Sequence, residues 1–145
     1  MLFIDRCAWS AALGRALNDA GIGFVAHHAQ FAHDTPDETW LAAAAHQSWL
    51  VVTRDQRIRY RANELAAMKR ARLHVFVFTQ GGLTGAETGS ILVRCHAAML
   101  RQATQVFTAG VLFADAQRRG QPAEGRGLTF ARRVRGTVSG GSNDV

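Results

Sequence analysis

Residues that could hold a small fold together covalently or through zinc are scarce in this chain. The 145 residues include two cysteines, Cys7 and Cys95, with no CxxC pair and no cluster of Cys and His at zinc spacing. These absences exclude a disulfide scaffold and a zinc-finger fold. Both cysteines are predicted to be reduced thiols in or near the core, and the six scattered histidines show no pattern typical of metal ligands.

Long apolar runs are also missing. No stretch approaches the ~20 consecutive apolar residues that a membrane-spanning helix needs. The N-terminal segment MLFIDRCAWS reaches an acid at Asp5, which argues against a signal peptide. The length suits a single domain. We therefore predict a cytoplasmic protein that does not contact a membrane.

Lysine is nearly absent, since Lys69 is the one lysine among 17 basic residues. The net charge of +6 is unevenly distributed, because residues 117–145 carry +4 of it and residues 1–116 carry +2. We predict a folded domain over residues 1–116 and a basic, Gly- and Arg-rich, poorly ordered tail over residues 117–145, with a short element at LTFARRV. Such a tail suits a polyanionic partner, and it is equally consistent with a solvated end that binds nothing specific.

Short apolar segments alternate with helical patterns along the predicted domain. The segments MLFI, GFVAHH, WLVVT, HVFVFT and GVLFAD predict strands. Helices are predicted between them, the second with Thr35 as its N-cap, Pro36 in its first turn and Glu38 closing a capping box. This alternation, with strands that are apolar on both faces, predicts a three-layer α/β/α sandwich with a mainly parallel sheet.

Three acids are predicted to meet at one edge of that sheet. Asp5 and Asp55 follow the MLFI and WLVVT strands, and the carboxyl ends of parallel strands lie on the same side, where ligands bind. Asp37 opens the helix that precedes the WLVVT strand, and it shares a helical face with Trp40 and Leu41, so it is expected to face the sheet. Three clustered carboxylates repel each other unless a cation lies among them. Oxygen ligands of this kind suit Mg²⁺ or Mn²⁺.

Four arginines follow the WLVVT strand, at positions 54, 57, 59 and 61. Magnesium held by carboxylates is the usual apparatus for hydrolysing a phosphodiester. We therefore predict that the backbone of a nucleic acid passes close to Arg54, Arg57, Arg59 and Arg61. Each acid also has a structural explanation on its own: Asp5 and Asp55 can cap helices, Asp37 can complement a helix dipole, and Glu38 is accounted for by the capping box.

The segments FIDRC and DETWLAAAAHQSWLVVTRD resemble the core signature of PIN-domain nucleases. An acid ends the first strand, a second acid opens a helix rich in small residues, and the following strand ends in T-x-D. The resemblance spans about residues 2–104 and is nearest to short PIN-like proteins related to VapC-type toxins. It implies a metal-dependent endoribonuclease in which Asp5, Asp37 and Asp55 hold Mg²⁺ or Mn²⁺.

The resemblance has further implications for the site and for partners. The glutamate that the larger family places on an earlier helix has no clear counterpart, and Glu38 or Glu64 are its candidate substitutes. The implied partners are RNA, an antitoxin protein and a second copy of the chain.

Three other functions are weighed against this one. A signalling receiver domain would place Thr79 after its fourth strand. It also needs a lysine after the fifth strand and an acid pair after the first strand, and this chain has neither. A nucleotide-binding module would use TQGGLTGAETG, which matches neither established glycine-rich phosphate motif. A PIN-like fold without catalysis, acting as a protein- or RNA-binding module, stays open.

Overall fold

The protein is a layered α/β structure in a computed structural model that describes residues 1–57, 61–78, 81–105, 110–115 and 129–131. Within those ranges the strands are β1 (Leu2–Ile4), β2 (Phe24–Ala26), β3 (Leu50–Thr53), β4 (His74–Phe78), β5 (Gly110–Asp115) and β6 (Thr129–Ala131). The helices are α1 (Ala11–Asp19), α2 (His27–Gln30), α3 (Asp37–His46), α4 (Ala62–Arg70) and α5 (Gly85–Gln105). None of these helices is both long and apolar enough to cross a bilayer.

The described strands form one sheet in the order β2-β1-β3-β4-β5-β6. The first five are parallel, and β6 pairs with β5 in the antiparallel direction. The predicted mainly parallel sheet is confirmed. The β6 strand lies at the LTFARRV segment, inside the stretch predicted as a tail.

Two hydrophobic clusters cover the two faces of the sheet, as the alternation of side chains along a strand requires. On one face, Leu2 and Ile4 of β1 pack with Leu13 of α1 and Leu92 of α5. On the other face, Phe3 packs with residues of α3 and α4, namely Trp40, Leu41, Ala44 and Met68. The predicted three-layer sandwich is therefore confirmed.

The two helices of the first face approach each other closely at Gly89. A Cβ atom built on Gly89 would lie 2.7 Å from the Cβ of Ala16 on α1, a distance that would force the helices apart. Glycine is therefore required at this point of α5 by the packing of α1.

Two local predictions are wrong. The predicted strand GFVAHH stops at Ala26, and His27 and His28 begin α2, with His27 buried and His28 exposed. The β2 strand stops there because its partner β1 also stops, at Ile4, which is paired with Ala26.

The second correction concerns the start of α3. Its N-cap is Pro36, in an extended conformation and without a side-chain cap hydrogen bond, so Thr35 is not the N-cap and Glu38 does not close a capping box. Asp37 is consequently the first residue of the helix.

Candidate functional site

The chain changes direction across the sheet between β1 and β3. From β1 it moves to β2 on one side and then returns to β3 on the other side, so the carboxyl ends of β1 and β3 border a topological switch point. Crevices at such points are the usual ligand sites of parallel α/β sheets. Asp5 directly follows β1, and its amide donates to the carbonyl of Val52 on β3 at 2.9 Å. Asp55 lies two residues beyond the end of β3.

Asp5 is a buried carboxylate, 8% exposed, that is held by hydrogen bonds. Its Oδ2 accepts from the Thr53 hydroxyl at 2.8 Å and from the Cys7 thiol at 3.0 Å. Its Oδ1 accepts from the Arg6 amide at 2.6 Å. Hydrogen bonds to an ionised carboxylate offset the cost of removing it from water. Three hydrogen bonds therefore fix the orientation of the Asp5 carboxylate at the carboxyl end of β1.

Thr53 connects the two strand-end acids. Its hydroxyl donates to Asp5 and accepts from the backbone amide of Asp55 at 3.1 Å. One side chain therefore orients the Asp5 carboxylate and fixes the turn that carries Asp55. This contact gives the threonine of the T-x-D pattern a physical role.

Three side chains contact the Asp37 carboxylate. Its Oδ1 accepts from the indole Nε1 of Trp40 at 2.9 Å and lies 3.4 Å from the Nη2 of Arg6. Its Oδ2 lies 3.4 Å from the Nη1 of Arg61. The guanidinium of Arg6 also donates to the carbonyl of His33.

Arg61 bridges two of the acids. The same Nη1 atom that contacts Asp37 lies 3.3 Å from the Oδ2 of Asp55. Arg57 pairs with the other carboxylate oxygen of Asp55, its Nε lying 3.3 Å from Oδ1. A positively charged nitrogen thus occupies the point where the carboxylates of Asp37 and Asp55 converge.

These side chains surround a cavity of about 580 Å³. Its described lining consists of Asp5, Arg6, Cys7, Asp37, Arg54, Asp55, Gln56, Arg57 and Arg61. The structure therefore brings together the three predicted acids and three of the four predicted arginines. The fourth, Arg59, lies outside the described residues.

The two candidate substitutes for the missing glutamate are placed differently. Glu38 is exposed and is not among the described residues that line the cavity. Glu64 lies on α4, and its side chain is outside the described part of the structure.

Sequence reasoning missed three lining residues, Arg6, Cys7 and Gln56. Arg6 and Cys7 directly follow Asp5, and Gln56 follows Asp55, so adjacency to a strand-end acid was the available signal. The Cys7 sulfur accepts from the Arg54 amide at 3.3 Å. Cys7 is exposed as a residue, but partial desolvation of its thiol, reinforced by the negative charge of Asp5, raises the pKa of Cys7, so the thiol is protonated and donates to Asp5.

The side chains do not form a ready-made metal site. Among the described residues, no group of three or more His, Cys, Asp or Glu side chains is arranged so that it could hold a metal ion. The reason is visible for Asp37 and Asp55, whose facing oxygens are paired with Arg61. The chemistry of the donors nevertheless suits a hard divalent cation, since all three acids offer carboxylate oxygens to one cavity.

A sequence model of the family described as PIN like domain matches residues 1–80. The chain belongs to the PIN-like domain family. The matched span contains β1 to β4 and every described residue that lines the cavity. Neither a curated protein nor a solved structure matches the chain significantly.

The family to which the chain belongs indicates its general class of function. PIN-like domains form a nuclease-like family, which agrees with acids and arginines sharing one cavity. The closer relationship to VapC-type toxins stays a prediction. The family match gives no support to the receiver-like alternative.

Proposed function

We propose that this PIN-like domain is a metal-dependent endoribonuclease. One observation carries the proposal: at the switch point of the sheet, Asp5, Asp37 and Asp55 line the same cavity as four arginines. Carboxylates can hold a divalent cation, and guanidinium groups pair with phosphate oxygens. Hydrolysis of a phosphodiester uses both kinds of group, the cation at the reacting phosphate and the guanidinium groups along the backbone.

Asp37 and Asp55 are the pair that would hold Mg²⁺ or Mn²⁺, with Asp5 facing the same cavity. Their Oδ2 atoms already share one cationic nitrogen, that of Arg61. For these two carboxylates to hold a divalent cation, the Arg61 guanidinium would have to withdraw from them, and it would then be free to pair with RNA. The chemistry that a bound Mg²⁺ or Mn²⁺ would supply is polarisation of the phosphodiester and activation of a water as nucleophile.

The arginines would bind and orient the RNA backbone. The Arg57 side chain is 80% exposed at the mouth of the cavity, where an incoming phosphate can be reached. Arg54 donates from Nη1 to the carbonyl of Leu83 at 3.4 Å, which holds it along another wall. Arg59 belongs to the same predicted set.

Cleavage of RNA tests the proposal directly. Purified protein is incubated with labelled single-stranded RNA and Mg²⁺ or Mn²⁺, with and without excess EDTA, beside the Asp55→Asn variant. We expect cleavage by the parent protein in the presence of metal alone and almost none by the variant. Equal cleavage in EDTA, or by Asp55→Asn, would assign the activity to a metal-independent mechanism or to a contaminant.

The alternative is a PIN-like module that binds RNA or protein without cleaving. The pairing of Asp37 and Asp55 with Arg61 favours it, because a chain that needs no metal can keep this bridge permanently. Calorimetric titration with Mn²⁺ separates the two functions. Binding of Mn²⁺ supports the nuclease, and RNA binding without Mn²⁺ binding or cleavage supports the module.

The biological role we propose for such a nuclease is that of the toxin in a toxin–antitoxin pair, with a small protein as its antitoxin. Induced expression should then arrest growth, and the Asp55→Asn variant should not. Co-expression of a small protein encoded beside this chain should restore growth. Arrest by both forms would separate toxicity from RNA cleavage.

A further inference from the structure

Trp40 is a buried residue that contacts one of the acids of the cavity. It is three residues after Asp37 on α3, which places both side chains on the same face of the helix. The Trp40 residue is only 2% exposed, and its indole Nε1 donates to the Oδ1 of Asp37 at 2.9 Å. A buried indole N–H needs an acceptor, and here that acceptor is a carboxylate of the candidate site.

The indole ring is itself fixed by a stack of three aromatic side chains. The Phe3 ring lies 5.3 Å from the Trp40 ring, centroid to centroid, with 18° between their planes. The Trp49 ring also stacks against Phe3, with 5.6 Å between the ring centroids and 6° between the ring planes. Phe3 belongs to β1 and precedes Asp5 by two residues. The stack therefore ties the orientation of Trp40 to the strand that carries Asp5.

The contact with Trp40 is the shortest that Asp37 makes among those described. The nitrogens of Arg6 and Arg61 lie 3.4 Å from its oxygens, compared with 2.9 Å for the indole. Trp40 engages Oδ1, whereas Oδ2 faces Arg61 and the acid pair. The indole hydrogen bond thus sets the orientation of the Asp37 carboxylate, with one oxygen on Trp40 and the other toward Arg61.

We propose that Trp40 is a positioning residue that orients the Asp37 carboxylate for metal binding. Trp40 is not among the described residues that line the cavity, so it acts through Asp37 rather than by touching RNA. The inference deepens the proposed function and rests on it. Partners that orient a metal ligand typically change metal affinity or activity by 10- to 100-fold when removed.

The test compares Trp40→Phe with Trp49→Phe. Both variants keep an aromatic ring against Phe3, and only the first removes the donor to Asp37. We expect Trp40→Phe to weaken Mn²⁺ binding by roughly 10-fold or more in calorimetric titration, and Trp49→Phe to leave it near the parent value. At a fixed metal concentration, Trp40→Phe should lower kcat for RNA cleavage and leave the KM for RNA unchanged. Melting curves establish that both variants are folded at the temperature of the assay.

A second measurement uses the parent tryptophan and needs no metal. In proton–nitrogen NMR spectra, the indole resonance of Trp40 should shift in Asp37→Ala and keep its position in Asp55→Ala. An unmoved resonance in Asp37→Ala, or equal Mn²⁺ affinities for Trp40→Phe and Trp49→Phe, would overturn the positioning role. If the parent protein binds no Mn²⁺, the proposed function fails instead, whatever the indole resonance shows.

Discussion

At the scale of single residues, the charges around Asp37 and Asp55 are balanced before any metal binds. Clustered carboxylates repel each other, which by itself predicts that an Asp→Asn change stabilises the protein. In the structure, Asp37 contacts Arg6 and Arg61, and Asp55 contacts Arg57 and Arg61. Replacing either acid therefore removes attraction. Partly exposed pairs of this kind contribute ~0–1 kcal/mol each, so the expected loss of stability is small.

Asp37→Asn and Asp55→Asn should therefore nearly abolish RNA cleavage while lowering the melting temperature only slightly. The amide keeps the shape of the side chain and loses the negative charge that binds a cation. Initial cleavage rates and thermal melting of the same preparations check this prediction.

The matched control is Glu38→Gln, next to Asp37 on the same helix. Glu38 is exposed, so the change should leave cleavage near the parent rate. The assignment of the helix acid would be wrong if Glu38→Gln abolished cleavage and Asp37→Asn preserved it.

Arg61 should compete with the metal for Asp37 and Asp55, and it should contribute to RNA binding. Arg61→Gln removes the cation between Asp37 and Asp55, so Mn²⁺ should bind roughly 5-fold more tightly, which corresponds to about 1 kcal/mol. The same change should weaken RNA binding and reduce its salt dependence by about one counterion. Calorimetry and RNA binding at several salt concentrations measure the two effects.

The control for Arg61 is Arg15→Gln, which makes the same change of charge on the exposed surface of α1. It should leave Mn²⁺ binding unchanged. An equal gain in Mn²⁺ affinity for the two variants would assign the effect to net charge rather than to the bridge.

At the scale of elements, α2 is attached to the sheet through a neutral histidine. His27 is 1% exposed, and both of its ring nitrogens are buried without a described hydrogen-bond partner. Its ring lies against Phe3, Phe31 and Trp40. Burial lowers the pKa of His27, and the charges of Arg6 and His33 act in the same direction, against Asp5 and Asp37.

The protein should therefore lose stability as the pH falls from about 7.5 to 5.5. Above the ordinary histidine pKa of 6.5, His27 is neutral in the folded and unfolded states, so it has no effect on the pH dependence. Below that value the unfolded chain binds a proton that the folded protein excludes, and the free energy of unfolding decreases. His96, whose pKa burial also lowers, contributes in the same direction.

His27→Leu isolates this contribution, because leucine has no proton to bind. The loss of unfolding free energy between pH 7.5 and 5.5, measured by chemical denaturation, should be smaller in the variant than in the parent. An identical loss in both proteins would show that His27 is protonated equally in the folded and unfolded states.

At the scale of the whole molecule, the cavity and β6 lie at different places along the sheet. The cavity is formed at the ends of β1 and β3, whereas β6 pairs with β5 at the opposite edge from β2. Removing residues 117–145 takes away β6, so we expect this deletion to expose the edge of β5 and to leave the described cavity residues in place. An unpaired edge strand is prone to associate with other chains.

Two truncations distinguish the role of the β6 strand from the role of the positive charge of the tail. Deletion of residues 117–145 should reduce thermal stability and favour aggregation, while RNA cleavage is affected less than by replacing pairs of the cavity arginines with alanine. Deletion of residues 132–145 keeps β6 and removes three arginines, so it should preserve stability. Loss of cleavage by a folded form of the second truncation would place the RNA-binding element in the tail.

Most of the elements could be predicted from local pattern. The apolar runs of β1 and β3 end at polar residues, which determines the ends of both strands and the positions of Asp5 and Asp55 beyond them. Since the carboxyl ends of parallel strands share one side of the sheet, the pattern also predicted that these acids would be neighbours.

Tertiary contacts decided what no local pattern contains. The apolar stretch GFVAHH reads equally well as a longer strand, and it turns into α2 because β1 offers β2 only three partners. The bridge from Arg61 to Asp37 and Asp55 joins residues from α3, the β3 end and the start of α4, which only the fold brings within 3.4 Å. The sequence by itself determined where the acids lie along the chain, and the packing of β1, β3 and α3 decided which cations and hydrogen-bond donors surround them.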